Sequence, residues 1–422
     1  MKFMHVADLH LDTPFVGMAK QLQVVQKQLI QAPFLAFERC VSIAINQNVD
    51  FMLIAGDVYD AERQTIYAQN FFLKQLKRLA EVEIPVVVGH GNHDFLNLEK
   101  AGLSYPENVY HFDQQEVTFF DLKHKNQEVT RIYGFSYTQR WIQERMIQHY
   151  PVNPQETDYT IGYLHGSVES LQSTKGNYAP FTVNELVAKN YDYWALGHIH
   201  QALVLNENPL IQYPGTIQGR HRNESGDKGA YIIELKQGQP PKSRFISLAP
   251  IVWQEVRLDC HKDWQVNHLL EHLEQVLNNY QEEADANQQS QLLTLILENA
   301  QRLNPELQEQ IAQDQLSLVL PELNNHIPFV AIIKVQMQME TNFDAFSYDA
   351  GLKNSYLEAL EALVDGSLYD EVTKDLAQHA TMRTWLADLS KDADFKAEMI
   401  QATQQLMIQT LGIDAEEADH ED

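Results

Sequence analysis

Short apolar runs alternate with stretches of helical spacing through the first hundred residues. KFMHVA (2–7), FMLIA (51–55) and IPVVVG (84–89) read as strands. Between them, Phe34, Phe37, Val41, Ala44 and Ile45 mark a helix over 34–47, and Ile66, Phe71, Phe72, Leu76 and Leu79 mark another over 65–80. Buried strands separated by helices predict βαβ units and a parallel sheet. After residue 108 the runs shorten and crowd together (VTFFDL, VTRIYGF, YTIGYLH, YDYWALGH, ALVL, LIQYPG, GAYIIEL), which predicts a second sheet, mixed or antiparallel. The expected class is α/β with α+β character. Two sheets with helices outside them make a four-layer αββα sandwich over residues 1–250.

Near Pro250 the pattern changes. VWQEVRL (252–258) and FVAIIKVQMQM (329–339) read as strands. Trp264, Leu269, Leu270, Leu273, Val276 and Leu277 mark an amphipathic helix over 264–281, and 291–301 reads as another, with a polar loop at 281–291. Residues 251–340 thus form a small α+β module. Residues 341–422 carry a mostly helical pattern from 352 to 411, closed by the acidic tail EEADHED. Two stripes recur there, one of Leu357, Leu360, Val364, Leu368 and Val372, the other of Phe395, Met399, Ala402, Leu406 and Met407. They either pack on each other or dock the helices of a partner.

Composition sets limits on this picture. With 44% hydrophobic and 21% charged residues in 422, wholesale disorder is excluded and two or three domains fit. No apolar run approaches the roughly 20 residues of a membrane-spanning helix, so no membrane association is expected. The start, MKFMHVADLH, lacks the pattern of a secretory signal. Two cysteines, Cys40 and Cys260, make neither a disulfide framework nor a cysteine zinc site, which points to a reducing, cytoplasmic setting. Charge is uneven. Residues 1–250 hold 22 Lys+Arg and 26 Asp+Glu, net −4, leaving 9 and 32, net −23, of the chain's 31 and 58 for residues 251–422. Such an acidic tail repels nucleic acid, so any polyanion must be handled by the first part, helped by cations or a partner.

The candidate chemistry lies just after the predicted strands. Asp8 and His10 stand in ADLH, Asp57 in AGDV, Asn92 and His93 in GNHD, His165 in YLHG, and His198 and His200 in LGHIH. Sites in open α/β sheets collect at the carboxyl ends of strands. Singly, each motif has an ordinary reading as a turn, a helix cap or a passive histidine. Five segments that each place a metal-type residue after a strand point instead to one shared site. Carboxylate, imidazole and amide oxygen together suit two divalent cations, Mn²⁺ first, with Fe²⁺, Zn²⁺ or Mg²⁺ as alternatives. Asp57 is the natural bridge. Such a pair lowers the pKa of a bridging water and clamps an in-line phosphoryl displacement.

This ordered set, Asp-x-His, Gly-Asp, Gly-Asn-His-Asp, His and Gly-His-x-His, resembles the calcineurin-like metallophosphoesterases over roughly residues 1–250. The resemblance implies that Asp8, His10, Asp57 and His200 hold one metal and Asp57, Asn92, His165 and His198 the other. It implies that His93 is the general acid, oriented by Asp94. ADLHLDTPF, the GHGNHD turn at 89–94 and the module after residue 250 are similar to the SbcD-type bacterial DNA repair exonucleases, most of all their YhaO-type branch. That likeness implies a DNA phosphodiesterase using a two-metal bridging hydroxide. It also implies a capping module that helps admit DNA, a helical C-terminal region bound to an SbcC-like or YhaN-like SMC-type ATPase, and possible homodimers. Two rival readings stand beside it: a metallophosphatase or nucleotide phosphodiesterase for small or protein substrates, and a scaffold that has lost catalysis. Among the remaining residues, Arg220 and Arg222 in GTIQGRHR either grip substrate phosphates or decorate a polar loop, and His221 beside them reads as passive. Asp12 either bonds a ligand histidine or caps a turn. His5 reads as a satisfied core histidine.

Overall fold

Two six-stranded sheets position the candidate residues. The computed structural model describes residues 1–15, 20–60, 64–96, 104–171, 178–262, 264–321 and 327–339, with a few isolated positions beyond. The helical reading of 352–411, both of its apolar stripes and the acidic tail lie outside the described residues, apart from those isolated positions.

The chain runs through β1 (Lys2–Val6), α1 (Gln26–Asn46), β2 (Phe51–Ala55), α2 (Ile66–Ala80), β3 (Val86–Gly89), β4 (Val109–His111), β5 (Thr118–Lys123) and β6 (Val129–Gly134). It continues with β7 (Tyr159–His165), α3 (Val183–Val187), β8 (Tyr193–Gly197), β9 (Leu203–Glu207), β10 (Leu210–Tyr213), β11 (Gly229–Glu234) and β12 (Lys242–Ser247). The first sheet has the order β12-β11-β1-β2-β3-β4, parallel from β1 to β4. The second has the order β5-β6-β7-β8-β10-β9, parallel from β6 through β7 and β8 to β10, with antiparallel edges. The second sheet is therefore mixed.

The period-two rule of strands explains the layers. Phe3, Phe51, Leu53 and Val87 of the first sheet pack with Ile161, Tyr163 and Tyr193 of the second between the sheets. Their alternates, Met4, Val6, Met52, Ile54, Val86 and Val88, face Phe34, Phe37, Phe72 and Leu76 of α1 and α2. Trp194, Leu164 and Leu196 face Leu186 of α3 and the surrounding loops on the far side. The result is the αββα sandwich. Helix starts are specified locally: Thr65 caps α2 through Ala68 N, and Thr182 and Glu185 form a capping box on α3.

Beyond these lie β13 (Ile251–Asp259), α4 (Val266–Asn287), β14 (Ser290–Glu298), α5 (Pro305–Ala312) and β15 (Val330–Met337), the three strands forming a sheet ordered β13-β14-β15. Two compact units emerge: one of Met1–Gln254, Tyr280–Leu292 and Glu322–Ala331, the other of Glu255–Asn279, Leu293–Pro321 and Ile332 onward. Two expectations are corrected here. Residues 291–301 begin as the central strand β14, not a helix. A strand with both faces buried reads as one continuous apolar run, which periodicity does not separate from a helix. The expected loop at 281–291 is largely the last turns of α4. Glu, Ala and Gln favour helix, and with no Gly or Pro nothing ends it before Asn287.

Candidate metal centre

The carboxyl ends of β1, β2, β3, β7 and β8 meet at one place, and all seven candidate ligands are there. Asp8 follows β1, Asp57 follows β2, Asn92 follows β3, His165 ends β7, and His198 and His200 follow β8. The sheets are stitched at this point, because His198 N donates to both carboxylate oxygens of Asp8 at 3.1 Å. The backbone is bent to do so. Asp8, His10, Asp57 and His198 have φ of 50°, 42°, 47° and 101°, a left-handed region that costs non-glycine residues energy and that clusters at functional sites.

The side chains fall into two lobes around Asp57. In the first, His10 Nε2 and His200 Nε2 face each other at 3.2 Å, and Asp8 joins them within metal-ligating reach. In the second, Asn92 Oδ1 lies 3.1 Å from His165 Nε2 and 3.0 Å from His198 Nδ1. Asp57 Oδ1 accepts from His93 N at 2.9 Å. Asp57 Oδ2, fully buried, has no hydrogen-bond partner, yet it lies 3.4 Å from His165 Nε2 and 3.9 Å from His10 Nε2. A buried carboxylate oxygen left without a donor, between two groups of converging lone pairs, is a donor set that would hold divalent cations.

The electrostatics favour the ligating form at His10, His198, His200 and Asp57, and oppose it at His165 and Asp8 so long as no cation is bound. Burial pushes His10 down to about 3, with the Arg220 charge adding to it, and burial also lowers His198 and His200. Neutral imidazole is the form that binds metal. Burial would lower His165 as well, but Asp57 and Asp8 outweigh it and bring it to about 9. Burial would raise Asp57, but His165, His10 and His93 hold it well below the usual carboxylate range. Asp8, in contrast, is pushed up by burial.

His93 is half-buried at the edge of the first lobe, its ring against that of His10 at 4.9 Å. Its Nδ1 lies 2.9 Å from the main-chain carbonyl of Asp60, which leaves Nε2 for proton transfer. The expected role of Asp94 is corrected. Its Oδ2 accepts from Val58 N and Tyr59 N at 2.8 and 3.3 Å, its Oδ1 accepts from Gly91 N at 2.9 Å, and His90 Nδ1 lies 3.0 Å away. One position past His93, the side chain serves the loop amides, and the group that meets the His93 ring is the carbonyl of Asp60. The Arg220 guanidinium is held by Asp60 Oδ1 at 2.9 Å and Glu224 Oε1 at 3.0 Å, which braces this side of the site. Arg222 is half-buried two residues on, and His221 Nε2 stands 3.6 Å from Glu224. Asp12 accepts from Thr65 N at 3.0 Å and touches no ligand histidine through that bond. His5 is satisfied in the core, with Nδ1 2.7 Å from Tyr193 Oη and Nε2 3.2 Å from Leu196 O.

Sequence reasoning missed Asp60 and Glu224. Asp60 closes the same GDVYD loop as Asp57, a legible cue. Glu224 sits in an irregular loop between β10 and β11, with no pattern to mark it.

Residues 1–202 match the family model of calcineurin-like phosphoesterases. YhaO of Bacillus subtilis, named an uncharacterized metallophosphoesterase, is 37% identical over 265 residues, 61% of this chain and 63% of that protein, so the match spans just under two-thirds of the relative. A DNA double-strand break repair protein, Mre11 of Sulfurisphaera tokodaii, is 25% identical over 348 residues, covering 79% of this chain and 80% of the relative. The SbcD component of the nuclease SbcCD from Staphylococcus epidermidis is 24% identical over 284 residues, covering 61% and 72%. With the candidate ligand residues gathered at the strand ends, residues 1–202 are similar to the calcineurin-like phosphoesterases, and the groups that could hold a metal ion lie within that match or at its edge.

Proposed function

We propose that this chain is a metal-dependent DNA nuclease. Bound between the two lobes, divalent cations, Mn²⁺ by the donor set, would supply Lewis-acid activation of water and neutralise phosphoryl charge. Asp8, His10, Asp57 and His200 hold one ion, and Asp57, Asn92, His165 and His198 the other. His93, its Nδ1 proton committed to Asp60, delivers a proton from Nε2 to the departing sugar oxygen.

The observation that carries the nuclease reading over a small-substrate phosphatase is an aromatic wall beside the second lobe. Tyr178 lies against the His198 ring at 4.8 Å and stacks on Trp141 at 5.0 Å and 19°. Trp141 is 54% exposed, and the Arg140 guanidinium stands 5.7 Å from its ring. A solvent-facing indole beside a cation is a surface on which nucleobases stack. Two relatives carry names that support the same direction, one a nuclease component and one a double-strand break repair protein.

The test is a Mn²⁺-dependent assay on end-labelled linear DNA, single-stranded and duplex, beside bis(p-nitrophenyl) phosphate. Cleavage of DNA is expected. Cleavage of the generic ester alone would return the metallophosphatase or nucleotide phosphodiesterase alternative. On the same reading, residues 1–250 are the nuclease domain, 251–340 a module that governs DNA access, and 341–422 a region for an SbcC-like or YhaN-like SMC-type ATPase. Homodimerisation and a cytoplasmic location belong to this proposal. No helix among the described residues is long and apolar enough to cross a membrane.

A further inference from the structure

Glu224 is a buried acid on an irregular loop, 7% exposed, and each of its carboxylate oxygens is engaged. Oε1 takes His200 Nδ1 at 2.8 Å and Arg220 Nη2 at 3.0 Å, and Oε2 accepts from Arg220 N at 2.8 Å. Arg220 Nη2 also lies 2.8 Å from His200 Nδ1, and its Nη1 donates to Asp60 Oδ1 at 2.9 Å. Asp60 in turn has Oδ1 3.3 Å from His10 Nδ1 and its carbonyl on His93. The trio thus reaches His200, His10 and His93 from behind. Asn92, His165 and His198 are held by other means: His165 Nδ1 by the carbonyl of Ala55 at 3.0 Å, and His198 N by Asp8.

A carboxylate only accepts hydrogen bonds, so Glu224 draws the proton of His200 to Nδ1 and leaves the Nε2 lone pair facing His10, against the pull of the Arg220 Nη2 donor 2.8 Å from the same nitrogen. The opposite tautomer would aim an N–H at His10 Nε2, 3.2 Å away, and close the lobe to a cation. Arg220 fixes where Glu224 and Asp60 stand by bonding both from one planar group.

We propose that Glu224 and Arg220 are positioning residues that set cation affinity in the His10/His200 lobe alone. The proposal rests on reading the centre as a two-cation site. The full chain, stripped with chelator, is titrated with Mn²⁺ by calorimetry, and the metal-free melting temperature is recorded in parallel. Glu224→Ala is expected to weaken one of two bound ions by about 10–100-fold and the other by less than twofold. Glu224→Gln, which can keep an oxygen on Nδ1, should lose less. Arg220→Lys, which cannot span both carboxylates, should weaken the same ion. In a His198→Ala background Glu224→Ala should still weaken the remaining ion, whereas in a His200→Ala background it should change nothing. Unaltered affinities, or equal weakening of both ions, overturn the proposal. If Glu224→Ala does not fold, the Glu224→Gln and Arg220→Lys chains decide by the same criterion. A wild-type chain that takes up no Mn²⁺ defeats the two-cation reading itself, a result distinct from failure of lobe selectivity.

Discussion

His200 gives its Nδ1 to a carboxylate, whereas His165 gives its Nδ1 to the carbonyl of Ala55. The two lobes of one metal centre are therefore built on different supports. Ala55 ends β2 and is registered against Gly89 of β3, so its carbonyl is placed by the sheet and orders no further side chain. The His10/His200 lobe depends on Asp60, Arg220 and Glu224, three side chains from two loops that must be ordered together at an entropic cost. His200 in the first lobe is oriented by a carboxylate and His165 in the second by a backbone carbonyl, while Asp8 touches both lobes through its bonds from His198 N. Substitutions should separate them.

Asp57 is shared, so its loss should erase the distinction. Asp57→Ala is expected to abolish binding of both ions, beyond the roughly 100-fold seen for outer partners, and to take cleavage to background. Metal analysis that still finds one tightly held ion would show that the lobes do not meet at Asp57. Next in size is His93→Ala, which removes the proposed proton donor and none of the proposed ligands. Cleavage should fall by about 10²–10⁴ with both Mn²⁺ affinities retained. Undiminished cleavage removes His93 from the role.

The two lobes also differed in how far they could be read from residues alone. Every candidate ligand ends or follows a strand whose apolar run is plain in the sequence, so the meeting of Asp8, Asp57, Asn92, His165 and His198 was legible once the strands were. The supports were not. Glu224 reaches His200 through an irregular loop, and no periodicity reports a contact made in tertiary structure. Asp94 misled because the resemblance carried it over as the partner of His93, while its carboxylate here accepts from the amides of Val58, Tyr59 and Gly91. Strand β14 misled for the reason its burial makes clear: an alternating pattern needs one wet face, and Leu292, Leu293, Leu295 and Leu297 are all buried.

Gly56→Ala should damage the backbone-held lobe as Glu224→Ala damages the ionic one. Gly56 has φ of +86°, and a Cβ there would stand 2.3 Å from His165 Nδ1, displacing the ring from Ala55. The ion held by Asn92, His165 and His198 should weaken by about 10–100-fold, with about 1–3 kcal/mol lost in folding stability. Equal weakening in both lobes, by calorimetry, would show that the supports are not independent. Smaller still is Trp141→Ala. A stacked base is worth about 1–3 kcal/mol, so affinity for a single-stranded oligonucleotide should drop by roughly 5–150-fold while bis(p-nitrophenyl) phosphate turnover stays level. Unchanged oligonucleotide affinity, by fluorescence anisotropy, would leave the aromatic wall without a part in substrate binding.

The last effect lies outside the lobes and concerns acid, which would otherwise be mistaken for a failure of the ionic lobe. His5 lies in the core, where burial pushes it down to about 3 from an ordinary 6.5. The folded chain therefore holds His5 neutral while the unfolded chain protonates it. The unfolded state binds the extra proton between about pH 6.5 and 3, so the stability His5 contributes is present above 6.5 and is lost as pH falls toward 3. The slope from this one group is at most about 1.4 kcal/mol per pH unit. Urea unfolding of His5→Asn across that range should show a slope smaller by that amount than the parent chain. An identical slope would mean that His5 already carries its proton in the core, and the neutral pairing with Tyr193 and Leu196 would have to be redrawn. With that background measured, any further loss of Mn²⁺ affinity on acidification belongs to the lobes themselves.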